Sequence, residues 1–289
     1  MTYSIVARDD ETGELGVGVQ TKAFAVGRVV PWAVAGVGVV ATQAYSERSY
    51  GPLALELLEA GRTAEEALRG LVAADARSDV RQVAIVDADG RAAAHTGEHC
   101  IPEAGHLVGQ AYSAQANMMA SADVWPSMAE AFSTARGTLA RRLLAALVAA
   151  EAAGGDFRGR RTAALLVVSG ERAGPSWAGR AVDLRVDDHP EPVAELERLL
   201  GLEEAYGRLG EVESAVSEED VEAAARAAGV DEDDILWFAV VRAARAGDLD
   251  EARLRLQSLV ARNGRWESAW HAIATLSASE GEQPSTIRR

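Results

Sequence analysis

Cysteine is almost missing. Cys100 stands alone among 289 residues, so neither an intrachain disulfide framework nor a cysteine-based zinc site can be built. Aromatic residues contribute only 5%, and the 48% apolar share leans on Ala, Val and Leu, which fits a compact α/β protein rather than a disordered or collagen-like chain. No apolar run approaches the roughly 18 residues that a membrane span requires, so no membrane partner is expected. Residues 1–10 lack a basic leader followed by a long apolar stretch; this reads as no secretory signal and implies a cytoplasmic protein.

Basic charge is scarce too, with 29 Lys and Arg against 44 Asp and Glu. Residues 191–234 hold 15 acidic and 3 basic side chains, a net of −12, whereas residues 1–190 hold 23 and 18, a net of −5. A near-neutral globular part therefore gives way to an acidic one. Without a basic face to neutralise phosphates, nucleic acid is not an expected partner. A chain of this length buries one large core or two modest ones, so a main domain with a smaller appendage is expected.

The pattern along the chain sharpens that division. Residues 3–8 and 15–20 have β composition around the turn-like Asp9-Asp10-Glu11-Thr12-Gly13-Glu14, and read as a hairpin. Residues 34–43, rich in Val and Gly, read as one buried strand. Two helices follow, 50–60 ended by Gly61, and 64–74 with Thr63 as N-cap and Glu66 in the capping-box position. Residues 81–86 and 91–95 flank Asp87-Ala88-Asp89-Gly90 as a second hairpin. Residues 107–117 read as one strand, 123–135 and 139–153 as helices, and 162–169 and 180–186 as strands. This order, strands, two helices, strands, two helices, strands, predicts an α+β fold, a four-layer αββα sandwich, over residues 1–190. His189-Pro190-Glu191-Pro192 ends it. Residues 191–289 form an all-helical extension, with helices at 193–209, 218–228, 234–246, 249–263 and 266–277 and a frayed polar end at 279–289. The last three helices resemble one helix-turn-helix unit of the tetratricopeptide kind, too short to be a repeat array.

The start of the chain carries the chemistry. Methionine is usually trimmed before a small residue, which would leave Thr2 with its amine and hydroxyl on adjacent carbons. An α-amine has an unperturbed pKa of about 7.7–8.0, so it can take the hydroxyl proton directly or through one water. General-base geometry needs heavy atoms about 2.6–3.2 Å apart, which a frayed end would lose and an immediate β-strand preserves. The bland alternative is an ordinary strand-start threonine. Ser4, two residues on, shares the strand face and either orients the amine or satisfies a backbone group.

Other residues offer less specific signals. Arg158 and Arg160 follow Gly154-Gly155-Asp156 in a loop, where a guanidinium could clamp a substrate carboxylate or could pair with Asp156. His95, His99 and His106 stand near Cys100 and Glu98, but their spacing matches no zinc pattern, so neither a metal nor another cofactor is expected. Gly16-Val17-Gly18 and Gly36-Val37-Gly38 lack the strand-turn-helix setting of a nucleotide loop.

Several ordered segments together resemble a bacterial family, the domain of unknown function 1028. They are residues 1–9, Val17-Gly18-Val19-Gln20-Thr21-Lys22-Ala23-Phe24-Ala25-Val26-Gly27, Val30-Pro31-Trp32-Ala33, Ala94-His95-Thr96-Gly97, Gln115-Ala116-Asn117-Met118-Met119, and the stretches 35–43, 154–160 and 181–190. The resemblance runs through about residue 200. That family is placed in the N-terminal-nucleophile (Ntn) hydrolase superfamily, whose members share the αββα sandwich and cleave amide bonds with an N-terminal Thr, Ser or Cys. The resemblance implies Thr2 as nucleophile and Lys22, just past the second strand, as the cation that holds the amine neutral; alternatively Lys22 is a solvated strand-end lysine. It implies Asn117 as an oxyanion donor, worth about 2.7–4 kcal/mol in comparable sites, or else a turn-forming asparagine. Thr42 and Gln43 would be further donors lining the substrate.

The expected activity is hydrolysis of a small amide or ureido compound by a homo-oligomer. The rival is a sandwich without catalysis, serving binding or assembly through protein docking by its C-terminal helices. Family members often carry a C-terminal region described as peptidoglycan-binding, which this acidic tail matches poorly.

Overall fold

Ten strands and eight α-helices are described by the computed structural model, which covers residues 2–175, 177–210, 217–270 and 273. The chain divides into two compact units, Met1–Glu197 and Arg198–Arg289.

The first unit is mixed α+β and holds two antiparallel sheets. The larger contains β1 (Thr2–Arg8), β2 (Leu15–Thr21), β7 (Gly105–Gly109), β8 (Tyr112–Asn117), β9 (Thr162–Val168) and β10 (Arg180–Val186), in the spatial order β10-β9-β2-β1-β8-β7. The smaller contains β3 (Pro31–Val34), β4 (Gly38–Ala44), β5 (Arg81–Asp87) and β6 (Ala92–Thr96), in the order β3-β4-β5-β6. Both sheets contribute to one apolar cluster: Val6, Val17, Val19, Leu166 and Val168 meet Val39, Ala41, Ala84 and Val86. Side chains alternate along each strand, so the opposite faces remain to be covered.

Helices cover them. The smaller sheet receives α1 (Tyr50–Glu59) and α2 (Ala64–Ala74) through Leu55, Leu58, Leu68 and Leu71, packed with Val40, Val83 and Ile85. Thr63 and Glu66 form the reciprocal capping box that their spacing predicts. The larger sheet receives α4 (Leu139–Ala152) against β1, β2 and β9, and α3 (Val124–Thr134) against β7 and β8. Gly16 and Gly18 of β2 make room for α4: a Cβ at Gly16 would stand 2.6 Å from a Leu143 methyl.

Two sequence expectations change. Residues 34–43 are a hairpin and not one strand, because Gly36 adopts φ +65° and turns β3 back onto β4. Residues 107–117 are likewise two strands, β7 and β8, paired from Gly109↔Tyr112. Ala111 takes φ +58° in that turn, a conformation without the glycine signature that would have announced it.

The registers place all five hairpin turns at one end of the sheets. Thr2 faces Thr21 and Asn117, and Thr21 faces Thr162. The longer connections β2–β3, β4–α1, α2–β5, β6–β7, β8–α3 and α4–β9 therefore gather at the other end, where Thr2 stands.

The second unit is helical. Residues 198–210 of α5 (Pro192–Gly210) pack with α6 (Glu218–Ala228) through Ala205, Leu209, Val221 and Ala225. Next come α7 (Glu232–Arg245) and α8 (Leu249–Arg262), separated by Gly247 at φ +81° and packed through Val240, Ala244, Ala252, Leu256 and Leu259. Residues 264–269 are a 3-10 helix rather than the start of the α-helix expected at 266–277; the rest of that segment, apart from 270 and 273, and the tail at 279–289 lie outside the described residues.

Candidate active site

Thr2 opens β1, a strand in the middle of the larger sheet, and is only 6% exposed. It lies on the face that meets the smaller sheet, since Val6, two strand periods along, joins the cluster between them. Its main-chain carbonyl accepts from the side-chain amides of Gln43 at 3.2 Å and Asn117 at 3.4 Å.

Those amides belong to a larger buried network. Gln82 on β5 accepts at Oε1 from Gln43 Nε2 and from Asn117 Nδ2, both at 2.8 Å. With its oxygen so occupied, the Gln82 amide nitrogen must point away, and it donates to the Ala116 carbonyl at 2.8 Å and to Thr96 Oγ1 at 2.9 Å. The Thr96 hydroxyl meets His106 Nδ1 at 2.8 Å. Burial, then the neighbouring His95, hold the His106 imidazole below its usual range. On the other side Ser4 Oγ donates to Gln43 Oε1 at 2.7 Å and accepts from Gln115 Nε2 at 2.6 Å. Ser4, Gln43, Gln82, Gln115 and Asn117 are all essentially inaccessible, so this is a polar seam between the two sheets with each amide spoken for.

The strand ends beside Thr2 are tied together by Asp156. Its side chain is fully buried and accepts from the Lys22 backbone N–H at 3.3 Å and the Arg158 backbone N–H at 3.0 Å. The Arg158 guanidinium grips the same carboxylate at 3.1 and 2.6 Å. A single bridge joins Asp156 to Met119, two residues past Asn117. Asp156 thus ties the segments that leave both strand neighbours of Thr2, the β2 side through its carboxylate and the β8 side through its backbone.

The expected site residues therefore separate. Thr2, Ser4, Gln43 and Asn117 come together; Thr42, on the alternate face of β4, donates to the Glu47 carbonyl at 3.1 Å instead. Arg158 is engaged by Asp156, and Arg160 by Glu151 at 2.8 Å and Glu191 at 2.5 Å. Lys22 is exposed, with its ammonium beside Gly159 and its field acting on Asp188. Gln82 and Gln115 were missed. Each is a glutamine inside an apolar strand, at the inward position of the alternation, and that misfit was the available signal. Among the described residues, no group of three or more His, Cys, Asp or Glu side chains is arranged to hold a metal ion, and no helix is long and apolar enough to cross a membrane.

A mixed α+β protein of two packed antiparallel sheets, with an amide seam around the first residue of its central strand, is the class defined so far. The chain belongs to DUF1028, a family of unknown function, which it matches over residues 2–196. It is similar to the crystallographically determined protein SPO2555 from Silicibacter pomeroyi, a member of the same family, with 36% sequence identity and a TM-score of 0.62 over 69% of this chain and 87% of that one. No functionally curated protein matches.

Proposed function

We propose that this protein is an N-terminal-nucleophile hydrolase that cleaves a C–N bond of an amide or ureido group, with Thr2 as nucleophile. The observation that carries the reading is the setting of Thr2: the first residue of a central strand, bonded on both sides, its carbonyl held by Gln43 and Asn117, at the loop-bearing end of the fold. The layering supports it as well. Helices α1 and α2 pack on one of the two antiparallel sheets and α3 and α4 on the other, an order compatible with the αββα sandwich that this reading requires.

The reaction begins once the peptide bond ahead of Thr2 is cleaved. The freed α-amine takes the proton of Thr2 Oγ1, the oxygen bonds to the substrate carbonyl carbon, and the carbonyl π pair moves onto its oxygen. Collapse of that intermediate expels the amine of the substrate, which leaves with the proton held by the ammonium. Water then attacks the Thr2 ester by the same route and releases the acid. Fixed backbone geometry keeps the amine and hydroxyl at the separation that proton transfer needs. In this scheme Gln43 and Asn117 position Thr2, and Lys22 contributes through its field rather than by contact.

The test is a screen of small amides and ureides with native protein whose intact mass has been measured. Turnover should accompany a protein that begins at Thr2, survive at reduced rate in Thr2→Ser, and vanish in a folded Thr2→Ala. Full turnover by Thr2→Ala, or an active protein that retains a residue before Thr2, would rule the mechanism out.

A further inference from the structure

Four loops at the end of the sheets where Thr2 stands carry exposed large apolar side chains. Phe24 is 56% exposed, Tyr45 64%, Ile101 52% and Phe157 56%. Each belongs to a segment already tied to Thr2 or its neighbours. Phe24 stands three residues past Thr21, the β2 partner of Thr2. Tyr45 stands two past Gln43, which holds the Thr2 carbonyl. The Ile101 carbonyl accepts from the Met118 N–H at 3.0 Å, and the Phe157 N–H donates to the Met118 carbonyl at 3.3 Å. Met118 directly follows Asn117, the β8 partner of Thr2. Four loops thus bring one large apolar group apiece to the same end of the sheets.

Most guanidiniums at this end that could select a carboxylated substrate are committed to the protein's own carboxylates, while the Lys22 ammonium lies exposed beside Gly159. Arg158 and Arg160 are held by Asp156, Glu151 and Glu191. Arg161 pairs with Asp188 at 2.8 Å and lies over the Phe24 ring, and Arg81 pairs with Asp75 at 2.8 Å near the Tyr45 ring. These guanidiniums support the aromatic faces and are already neutralised. Exposed apolar groups gathered at one end of a fold point to a contact surface, and this is the end at which the proposed nucleophile stands.

We propose that Phe24, Tyr45, Ile101 and Phe157 form a substrate-binding rim, and that the substrate is an uncharged amide bearing an apolar or aromatic group. The inference rests on the hydrolase reading and deepens it. A methylene placed against apolar groups is worth about 10–200-fold in specificity when fully enclosed, so an open rim discriminates at the lower end of that range.

Acyl 4-nitroanilides with acetyl, hexanoyl, benzoyl and succinyl groups provide the test, read as relative kcat/KM with mature protein. Hexanoyl and benzoyl should exceed acetyl by about 10-fold or more, with succinyl the poorest. In a Tyr45→Ala, Phe157→Ala double variant the hexanoyl-to-acetyl ratio should collapse toward unity. Cleavage without chain-length preference, or with succinyl preferred, overturns the rim and leaves the hydrolase intact. Binding separates the converse case. Should nothing be cleaved, calorimetric titration of Thr2→Ala with the hexanoyl anilide still decides: binding that the double variant loses upholds the rim, and absence of binding overturns it. A double variant that only dissociates an oligomer, with selectivity unchanged, assigns these side chains to a second copy of the chain and overturns the proposal.

Discussion

The side-chain amide of Gln43 donates to the main-chain carbonyl of Thr2 at 3.2 Å, across the space between two sheets and 41 residues apart in sequence. That bond couples the position of the candidate nucleophile to the smaller sheet, and makes the packing of the two sheets part of the site. Removal of Gln43 should therefore be felt in both stability and turnover. Gln43→Leu strands the Ser4 hydroxyl and one acceptor site of Gln82, a loss of about 1–3 kcal/mol. Urea unfolding should show that loss, and a midpoint unchanged from wild type would mean that the seam is held by other contacts.

Gln82 and Gln43 share a hydrogen bond of 2.8 Å, so their effects should not add. A double-mutant cycle with Gln43→Leu and Gln82→Leu is expected to give a coupling of about 0.5–3 kcal/mol. Simple additivity would show that the two amides act independently.

Asp156 and Arg158 form an ion pair at this end, with Asp156 at 0% and Arg158 at 26% side-chain exposure. Asp156→Asn keeps the shape, removes the charge and weakens the brace between the segments that flank Thr2. The partial exposure of Arg158 lets water relieve some of the cost, so a destabilisation of about 1–3 kcal/mol is expected. Amide hydrogen exchange at Lys22 and Arg158 should quicken selectively; uniform exchange across the larger sheet would contradict a local role.

Acid should destabilise the first unit through carboxylates held low in the fold. The Arg81 guanidinium, then the Arg77 N–H, keep Asp75 below the usual range. Burial pushes Asp9 up, but the Thr12 and Glu11 N–H groups and Arg142 outweigh it and hold Asp9 low. A depressed folded value means that this stability is complete above the unfolded value, about 3.9, and is lost as pH falls through the folded one. Glu14, pushed up by burial, works in the opposite sense. Urea midpoints should fall from pH 6 to pH 3 in wild type and fall less in Asp75→Asn, Asp9→Asn; an equal fall in both proteins would assign the acid sensitivity to other groups.

Gly36 turns the β3–β4 hairpin at φ +65°, and a Cβ there would stand 2.6 Å from the Arg172 backbone nitrogen. Gly36→Ala should cost about 1–3 kcal/mol by left-handed strain and overpacking, and thermal unfolding should show it. A stabilised variant would mean that the turn can change its conformation.

Much of this fold was legible because its signals are local. The capping box at Thr63 and Glu66, the hairpin at 87–90 and the β-rich opening each depend on residues a few positions apart. The two hairpins read as single strands were missed for opposite reasons. Gly36 sits among valines where a strand glycine is equally at home, and Ala111 gives no sign of its positive φ. Among the candidate site residues, Thr2 is singled out by its position at the head of the first strand and Asn117 by the family resemblance. Gln82 and Gln115 were hidden, because a buried glutamine explains itself only when its partner on another strand is known.

The sequence alone determined the alternating apolar pattern, the helix caps and the placement of Thr2 at the start of a strand, since each follows from periodicity or chemistry within one segment. Tertiary structure decided which polar groups meet. It joined Gln43, Gln82 and Asn117 around Thr2 and turned Arg158 and Arg160 toward carboxylates of the protein's own. The physical reason is that buried amides and charges must find partners wherever the chain brings them, and those partners lie far apart in sequence.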